Sequence, residues 1–310
     1  MADKIATRQA YGETLVKLGA ENENLVVLDA DLSGSTKTGM FKKAYPDRFF
    51  NMGISEQDMY GTAAGLAASG KVVCASTFAM FASGRAFEIN RNSIGYPHLN
   101  VKVCATHAGI TVGPDGASHQ TFEDLALMRT IPGMTVINPS DAVSAAKLLE
   151  QAVAMQGPCY LRFGRAAVPV TYKEDDTLQI GKGNQIREGG DVTIMATGIL
   201  VNEALIAAEE LAAKGVEARI IDMHTIKPLD EEIVIKAAKE TGAIVTAEEH
   251  SVIGGLGEAV AGVTARNFPV KMAMVGQQDT FGESGEPDEL MEKYGMKADS
   301  IVKAVMRLLK

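Results

Sequence analysis

The residues best suited to chemistry in this sequence lie in the stretch THAGITVGPDGASHQ, residues 106–120. Its glycines and its proline disfavour a helix, which predicts an ordered loop carrying His107, Asp115 and His119. Two histidines and a carboxylate could be three ligands of a metal ion, or simply the polar side chains of an ordinary loop. We favour a third interpretation, a polar substrate site, because these groups together donate to and accept from a polyhydroxylated molecule.

A second candidate is Glu56, in the stretch NMGISEQDMYGTAAGLAASG at residues 51–70. Ser55 is a good N-cap and Asp58 suits the first turn of a helix, so Glu56 could belong to a helix start without any reactivity. The helix that follows has no charged side chain at residues 59–70, and we therefore expect it to be packed on most sides. A carboxylate at the start of a buried helix needs a partner, which makes Glu56 a candidate for chemistry.

Aromatic and cationic residues form two further candidate groups. Phe78 and Phe81 in STFAMF follow a strand and are three residues apart, which suits either core packing or the wall of a ligand pocket. Arg8 in ATRQAYGETL, and Arg162 and Arg165 in LRFGRAA, stand near helix starts or strand ends. Such arginines either clamp a phosphate or form surface salt bridges.

The stretch GGLGEAV, residues 254–260, looks like part of a dinucleotide-binding fingerprint. It lacks the third glycine and an acidic residue at the right distance. A tight turn from a strand into a helix is therefore the better explanation.

These candidates are positioned by an alternation of short β-branched runs and longer segments rich in Ala, Leu, Glu and Lys. The first half of the chain has predicted strands at 24–30, 71–77, 101–107, 134–139 and 159–163, and predicted helices at 8–20, 37–44, 56–69, 80–93, 121–129 and 141–155. This alternation predicts βαβ units and a mainly parallel sheet. Ligands bind beyond the carboxyl ends of such strands, where Asp29, Asp31, Phe78 and His107 fall.

The pattern changes from about residue 164 to 190, where Pro, Gly and charged residues mix with little periodicity. A second strand–helix series follows. The sequence therefore predicts an α/β fold with two three-layer α/β/α domains, residues 1–165 and 191–310, joined by a linker at 166–190.

Composition argues against several classes of function. The 310 residues are 46% hydrophobic and 22% charged, as in a globular protein with a core, and the net charge of −9 disfavours nonspecific nucleic-acid binding. No apolar run approaches membrane-spanning length and the N-terminus lacks the apolar core of a signal peptide, so we expect a cytoplasmic protein. Cys74, Cys104 and Cys159 lie in apolar, strand-like runs and predict buried free thiols.

The order of the motifs carries a family resemblance. The segments ATR, DADLSGS, GISEQ, STFAMF, the loop at 106–120, a helix opened by PSD and a strand with LR resemble the pyrimidine-binding half of transketolases. The linker and the segments TIKPLDE and EEHSVIGGLGEAV resemble the transketolase C-terminal domain. The resemblance covers essentially the whole chain, and the loop at 106–120 is its most specific part. It implies a parallel-sheet pyrimidine-binding domain followed by a domain of the transketolase C-terminal type.

Full-length transketolases also have a preceding domain, in which a GDG and a later Asn hold the metal and the diphosphate of thiamine diphosphate. This sequence has no GDG, and PDG at 114–116 with Asn138 imitates the motif only weakly. The resemblance thus implies the C-terminal subunit of a split, two-chain transketolase. An N-terminal subunit would hold Mg²⁺ or Ca²⁺ and the diphosphate, and we expect an α2β2 heterotetramer.

The resemblance implies cofactor-binding roles for four residues. Glu56 matches the glutamate that hydrogen-bonds the aminopyrimidine ring of thiamine diphosphate. Phe78 and Phe81 match the aromatic wall around this ring, and Asp31 matches a carboxylate near the cofactor. The family often has another aromatic residue where Gly84 stands, so the wall is open here or is completed elsewhere.

Substrate roles follow in the same way for a sugar phosphate. His107 and His119 match residues that contact substrate hydroxyls and assist proton transfer, and Asp115 matches the residue that reads the hydroxyl beside the reacting carbonyl. Arg8, Ser35 and Arg162 match the phosphate-binding set, with Arg165 as the alternative to Arg162. The implied reaction transfers a two-carbon ketol unit from a ketose phosphate to an aldose phosphate, as in the pentose phosphate pathway.

Three other functions remain open at this stage. The beta subunit of a 2-oxoacid dehydrogenase has a similar two-domain plan, but an oxoacid does not need the hydroxyl-binding set His107, Asp115 and His119. A deoxyxylulose-phosphate synthase has a similar THAG loop, but is normally one long chain. A non-catalytic scaffold subunit would have no need of Glu56.

Overall fold

Two sheets built mainly from parallel strands organise the chain, whose computed structural model describes residues 4–310. The strands are β1 (Lys4–Ala6), β2 (Leu25–Asp29), β3 (Phe49–Asn51), β4 (Val72–Phe78), β5 (Val101–Thr106), β6 (Thr135–Ile137), β7 (Cys159–Phe163), β8 (Ala167–Pro169), β9 (Asn184–Arg187), β10 (Val192–Ala196), β11 (Ala218–Asp222), β12 (Thr225–Lys227), β13 (Ala243–Ser251) and β14 (Lys271–Gln277). The helices are α1 (Thr7–Glu21), α2 (Ser33–Thr36), α3 (Gly39–Ala44), α4 (Glu56–Ala68), α5 (Phe87–Ile89), α6 (Asp124–Thr130), α7 (Ala142–Ala154), α8 (Leu200–Ala212), α9 (Glu231–Thr241), α10 (Leu256–Asn267), α11 (Pro287–Lys293) and α12 (Ala298–Leu308).

The first sheet has the order β12-β6-β7-β5-β4-β2-β3, and the second has the order β14-β13-β10-β11-β9. Within these two sheets all pairings are parallel except those of β12 with β6 and of β9 with β11, and β1 and β8 form a separate antiparallel pair. The predicted α/β fold with two domains of sheet and helices is confirmed. Strand β12 was not predicted, and it adds a segment of the second domain to the sheet of the first.

Alternating side chains of the first sheet enter different hydrophobic clusters, because successive residues of a strand point to opposite faces. Leu25 and Val27 pack in one cluster with residues of α1 and α7, whereas Val26 and Leu28 pack in the other with residues of α4. The α4-side cluster continues into the second domain through residues of α9 and α10. The two domains thus share this apolar cluster.

The segment 166–190, predicted as a linker, contains β8, which pairs with β1, and β9, which joins the second sheet. Two other local expectations are wrong. The predicted helix at 80–93 is broken into α5 between two π-helical turns, Phe81–Arg85 and Asn90–Gly95. Ser55 makes no side-chain cap bond to α4.

Helix α4 is also less enclosed than expected. Glu56, Met59 and Tyr60 are buried, but small residues of the opposite face, among them Gly61 and Gly65, are exposed. Beyond its first turn, α4 therefore exposes a surface of small uncharged residues.

The cysteine prediction is confirmed, because Cys74, Cys104 and Cys159 are all buried and free. Burial raises the pKa of Cys159 to about 12, with Cys74 adding a smaller contribution and Lys102 opposing it. None of the helices in residues 4–310 combines the length and the apolar character that a membrane crossing requires.

Candidate functional site

The candidate site lies beyond the carboxyl ends of β2, β4 and β5, three neighbouring parallel strands. The registers pair Asp29 with Ser76 and Phe78 with Thr106. The residues that follow these pairs therefore emerge together at one end of the sheet, as the sequence predicts for ligand binding in an open α/β sheet.

Glu56 sits in this site as a buried carboxylate with a cationic partner. Only 2% of its side chain is exposed, and its Oε2 accepts a hydrogen bond from Nη1 of Arg85 at 2.9 Å. The side chain of Arg85 is 50% exposed, and its Cζ lies 4.7 Å from the centroid of the Phe81 ring. A planar nitrogen donor thus lies on an aromatic face while it hydrogen-bonds Glu56.

Arg85 is the residue that sequence reasoning missed. The π-helical turn Phe81–Arg85, closed by a bond from the amide of Ala86 to the carbonyl of Phe81 at 3.2 Å, sets its position. A usable signal was present, because Arg85 is four residues after Phe81 in a segment predicted to be helical, and such residues are neighbours on a helix. Arg85 directly follows Gly84, the position at which the family often has another aromatic residue.

Phe78 and Phe81 form the aromatic part of the site together with the two loop histidines. The Phe78 ring stacks on that of His107 with centroids 3.9 Å apart, and on that of Phe81 at 6.1 Å. The His119 ring meets Phe81 in a T-shaped arrangement at 5.4 Å. The structure thus brings Glu56, both phenylalanines and both histidines into one constellation.

The protonation of His107 follows from its surroundings. Its pKa is lowered to about 3, first by burial and then by the positive charges of Arg8 and Arg165. Its Nε2 lies 3.2 Å from Nη1 of Arg8 and its Nδ1 lies 2.9 Å from Oγ1 of Thr106. Since an arginine can only donate, Nε2 accepts, and the single proton of the neutral ring is on Nδ1. His107 is thus a neutral group at physiological pH.

Arg8 is the second residue of α1, and its guanidinium reaches the loop at His107. Its Nη1 also donates to the carbonyl oxygen of Ser35 at 2.8 Å, and its Nε is buried without a hydrogen-bond partner. Burial and the nearby charge of Arg165 both lower the pKa of Arg8. A buried donor without a partner beside a second cation favours an anion as the missing ligand.

Arg162 and Arg165 have opposite environments. Arg162 is 4% exposed, and its Nε and Nη2 donate to the two oxygens of Asp124 at 2.7 and 3.3 Å. Its Nη2 also donates to the carbonyl oxygen of Glu249. Arg162 is therefore committed to a buried network and does not face the site, contrary to the assignment of Arg162 as a phosphate ligand. Arg165 is only partly buried and donates to the carbonyl oxygen of Val112 at 2.6 Å.

The remaining predicted residues line the mouth of the site. Asp31 is exposed with a positive φ of 63°, and its carboxylate accepts from Asn51 at 2.8 Å. Asp115 is exposed at the end of the 3₁₀ turn Ile110–Asp115. His119 is half-buried, with Nδ1 3.0 Å from Oγ of Ser118. These groups can meet a ligand without losing a buried contact.

Two alternatives considered for the sequence receive no support. Within residues 4–310 no three His, Cys, Asp or Glu side chains are grouped so as to hold a metal, including the loop set of His107, Asp115 and His119. The glycine-rich turn before α10 is filled by Glu248, whose oxygens accept from the amides of Leu256 and Gly257 at 2.7 and 2.8 Å. The amides of this turn are therefore already bound by the carboxyl group of Glu248.

Comparison with known families bears on the whole chain. The sequence model of the family "Transketolase, pyrimidine binding domain" matches residues 3–171, and that of "Transketolase, C-terminal domain" matches residues 181–301. The first match includes all strands of the first sheet except β12. The second match includes β9 to β14 and helices α8 to α11.

Individual relatives and solved structures extend this comparison. A putative transketolase C-terminal section from Methanocaldococcus jannaschii is 54% identical over 98% of this chain and 96% of its own length. A 6-deoxy-6-sulfo-D-fructose transketolase subunit from Clostridium sp. is 44% identical over 96% of this chain and 92% of its own. A solved structure described as a split gene transketolase, inactive β4 tetramer, has 55% identity and a TM-score of 0.93, covering 98% of both chains.

Proposed function

Since the chain belongs to the transketolase family, we propose that it is the C-terminal subunit of a two-chain transketolase. In this proposal it transfers a two-carbon ketol unit from a ketose phosphate to an aldose phosphate with thiamine diphosphate, together with an N-terminal partner subunit. The observation that carries the proposal is the arrangement of Glu56, Arg85 and Phe81.

The contacts of Arg85 indicate which kind of group the pocket accepts, and this group can be compared with the aminopyrimidine half of the cofactor. The guanidinium of Arg85 is flat, carries N–H donors, lies over Phe81 and hydrogen-bonds Glu56. A pocket that accepts this group provides what an aminopyrimidine needs, namely an aromatic face and a carboxylate acceptor. Glu56 would hold a proton at the pyrimidine ring nitrogen, Phe78 and Phe81 would orient the ring, and Asp31 would lie near it. Thiamine diphosphate, when bound, supplies the chemistry that breaks and forms the carbon–carbon bond.

The loop groups suit the sugar part of the substrate. Neutral His107 and half-buried His119 would bind hydroxyls and move protons at their oxygens, and the exposed carboxylate of Asp115 would accept a hydrogen bond from the hydroxyl beside the carbonyl. Proton transfer by such positioned groups contributes about 10²–10⁴-fold in rate.

An anionic end of the substrate would lie against Arg8, Arg165 and the Ser35 segment. We assign Arg165 to this role in place of Arg162, because Arg162 is held by Asp124 inside the protein. One relative is named for a 6-sulfo sugar. A sulfonate presents oxygens to an arginine much as a phosphate does, so both kinds of donor belong in the assay.

The partner subunit would hold the diphosphate together with Mg²⁺ or Ca²⁺, most simply in an α2β2 heterotetramer. Support comes from the relatives named as a C-terminal section, as a subunit and as a split-gene β4 tetramer that is inactive. The family matches favour this assignment over a 2-oxoacid dehydrogenase subunit.

The test is reconstitution. The chain is co-purified with an N-terminal-type subunit carrying GDG, and ketol transfer between sugar phosphates is measured with thiamine diphosphate and Mg²⁺. We expect transfer by the complex and none by either chain alone. Full activity of this chain by itself, or none in a stable complex with any phosphate or sulfonate donor, would reject the proposal.

A further inference from the structure

The loop at residues 107–120 begins with a residue in a costly backbone conformation, since His107 has a φ of 56°. Gly109, Gly113 and Gly116, with φ values between 74° and 78°, adopt this region without steric cost. A non-glycine residue at positive φ persists only when its surroundings hold it there. The contacts that hold this loop are therefore part of how the site is built.

Much of that support comes from the second domain. The side chain of Ile110 is fully buried in the same hydrophobic cluster as Leu200 of α8 and Leu290 of α11. The first domain thus places a residue of its own loop inside the core of the second domain. This apolar contact holds the loop against the second domain. It does not determine which backbone groups of the loop form hydrogen bonds with that domain.

Glu249 of β13 forms a hydrogen bond with the loop at the residue after Ile110. Its Oε1 accepts a hydrogen bond from the backbone amide of Thr111 at 2.7 Å, and both residues are buried, with 2% and 3% of their surfaces exposed. A Cβ atom at Gly109 would overlap the same carboxyl group. The loop therefore runs directly against Glu249.

The other end of the loop is held in the same way. Nε2 of Gln120 donates to the carbonyl oxygen of Glu283 at 2.9 Å, in the segment before α11. A Cβ at Gly116 would overlap Oγ of Ser284, and one at Gly113 would lie 3.3 Å from the carbonyl oxygen of Gly285. Asp115 and His119 are thus bracketed by contacts with the second domain.

Glu249 is itself fixed by charges from the first domain. Its Oε2 lies 4.0 Å from Nη1 of Arg162, whose guanidinium is bound to Asp124. Burial raises the pKa of Glu249 to about 6, while Arg162 opposes this shift as the next largest cause. A movement of this carboxyl group away from the Thr111 amide would also take it away from Arg162.

We infer that the second domain is the support of the substrate loop and that Glu249 is a positioning residue for His107, Asp115 and His119. It acts through the backbone of Thr111 rather than by contact with substrate. This inference rests on the proposed function for the identity of the loop's ligand, but its structural content does not depend on activity.

The experiment compares Glu249→Met with Glu248→Met in the full chain. Glu248 is the matched control, because it is equally buried in β13 but its two hydrogen bonds go to α10 of its own domain. The measurement is backbone amide hydrogen exchange by mass spectrometry. In Glu249→Met, amides of peptide 107–120 should exchange about tenfold faster or more, since a buried donor has lost its acceptor. Glu249→Gln, which keeps an acceptor oxygen, should restore most of the protection.

A second variant guards against failure of Glu249→Met to fold. Gln120→Met removes the donor to the carbonyl oxygen of Glu283, together with two longer bonds to the carbonyl oxygens of Ile110 and Gly113 inside the loop. It should loosen peptide 107–120 and also the second-domain segment around Glu283, which a loss confined to the loop would leave unchanged. The inference is overturned if neither variant changes exchange in 107–120, or if Glu248→Met changes it equally.

Kinetics in the reconstituted complex separate positioning from general destabilisation. Glu249→Met should raise KM for the ketose donor about tenfold and lower kcat less, whereas Glu248→Met should leave KM unchanged. Equal KM in the two variants would contradict the inference. If the wild-type complex shows no ketol transfer at all, the proposed function fails while the exchange result still decides the role of Glu249.

Discussion

Arg85 and Glu56 form an ion pair whose two side chains differ in solvent exposure. The carboxylate is 2% exposed, whereas the arginine is 50% exposed and lies on the ring of Phe81. A flat ligand that uses both Glu56 and Phe81 must therefore displace this guanidinium. Because Arg85 is half exposed, displacing it returns a charge to water at low cost.

Replacing Arg85 should accordingly tighten cofactor binding. In the complex with the partner, Arg85→Met should lower the Kd of thiamine diphosphate about two- to fivefold, the value expected for one partly exposed ion pair. Isothermal titration calorimetry measures this, and Arg91→Met, a change at an exposed arginine bonded only to its neighbour Asn92, is the control. Weaker binding by Arg85→Met would mean that Arg85 contacts the cofactor.

Glu56→Gln should leave the fold intact and remove most turnover. The amide cannot share a proton with a ring nitrogen as a carboxylate does, so we expect kcat to fall about 10²–10⁴-fold. Asp58→Asn serves as the comparison, since Asp58 is an exposed carboxylate in the same helical turn. Near-wild-type kcat for Glu56→Gln in a ketol-transfer assay would return Glu56 to the role of a helix-start residue.

The two arginines of LRFGR should respond differently to substitution. Arg165→Met should raise KM for phosphorylated donors while thermal unfolding stays close to wild type. Arg162→Met should destabilise the protein by about 3–5 kcal/mol, because it leaves Asp124 buried without its cation. Steady-state kinetics and denaturant unfolding measure the two effects. The reverse pattern would restore Arg162 as the substrate ligand.

Asp115→Ala should change donor preference more than overall rate. The exposed carboxylate is proposed to read the hydroxyl next to the carbonyl, so donors with that hydroxyl should lose kcat/KM more than ketol donors that lack it. One hydrogen bond to a charged group corresponds to about 1.5–3 kcal/mol, or roughly 10–150-fold. Equal losses for both kinds of donor would exclude this role.

A buried carboxyl between the domains gives a pH prediction. Burial raises the pKa of Asp222 to about 7, opposed by hydrogen bonds from Ser140 and Tyr172 and supported by the charge of Asp141. Between pH 4 and 7 the folded state therefore holds a proton that the unfolded state releases, and this contribution to stability is lost as pH rises towards 7.

Asp222→Asn removes that titration. Relative to wild type, its free energy of unfolding should rise by about 1 kcal/mol for each pH unit between pH 5 and 7 and then level off. Urea denaturation across this range measures the slope, with Asp47→Asn at an exposed site as the control. A flat difference would mean that Asp222 is already ionised in the folded protein at pH 5.

The fold was predictable because its signals are local. The runs that became β2, β4 and β5 are rich in valine, and the segments that became α1, α4 and α7 match their predicted bounds within two residues. The broken helix at 80–93 was not predictable in this way, since its π-helical turns depend on packing rather than on propensity.

Most residues of the site were predictable from the sequence, but the ion pairs that they form were not. Phe78 and His107 stack on each other, because strand order brings the ends of β4 and β5 together. The pairing of Arg85 with Glu56 and of Arg162 with Asp124 joins residues 29 and 38 positions apart. Neither sequence spacing nor residue type distinguishes these pairs from the many other possible ion pairs.

Strand β12 has a consequence for how this protein can be divided. It belongs by sequence to the second domain, yet it lies antiparallel along β6 and supplies the outermost strand of the first sheet. A fragment ending in segment 166–190 would lose it and expose the unpaired amides and carbonyls of β6, a surface on which other chains add strands and aggregate. We therefore expect that separating the two domains between these segments would leave the first sheet without its edge strand.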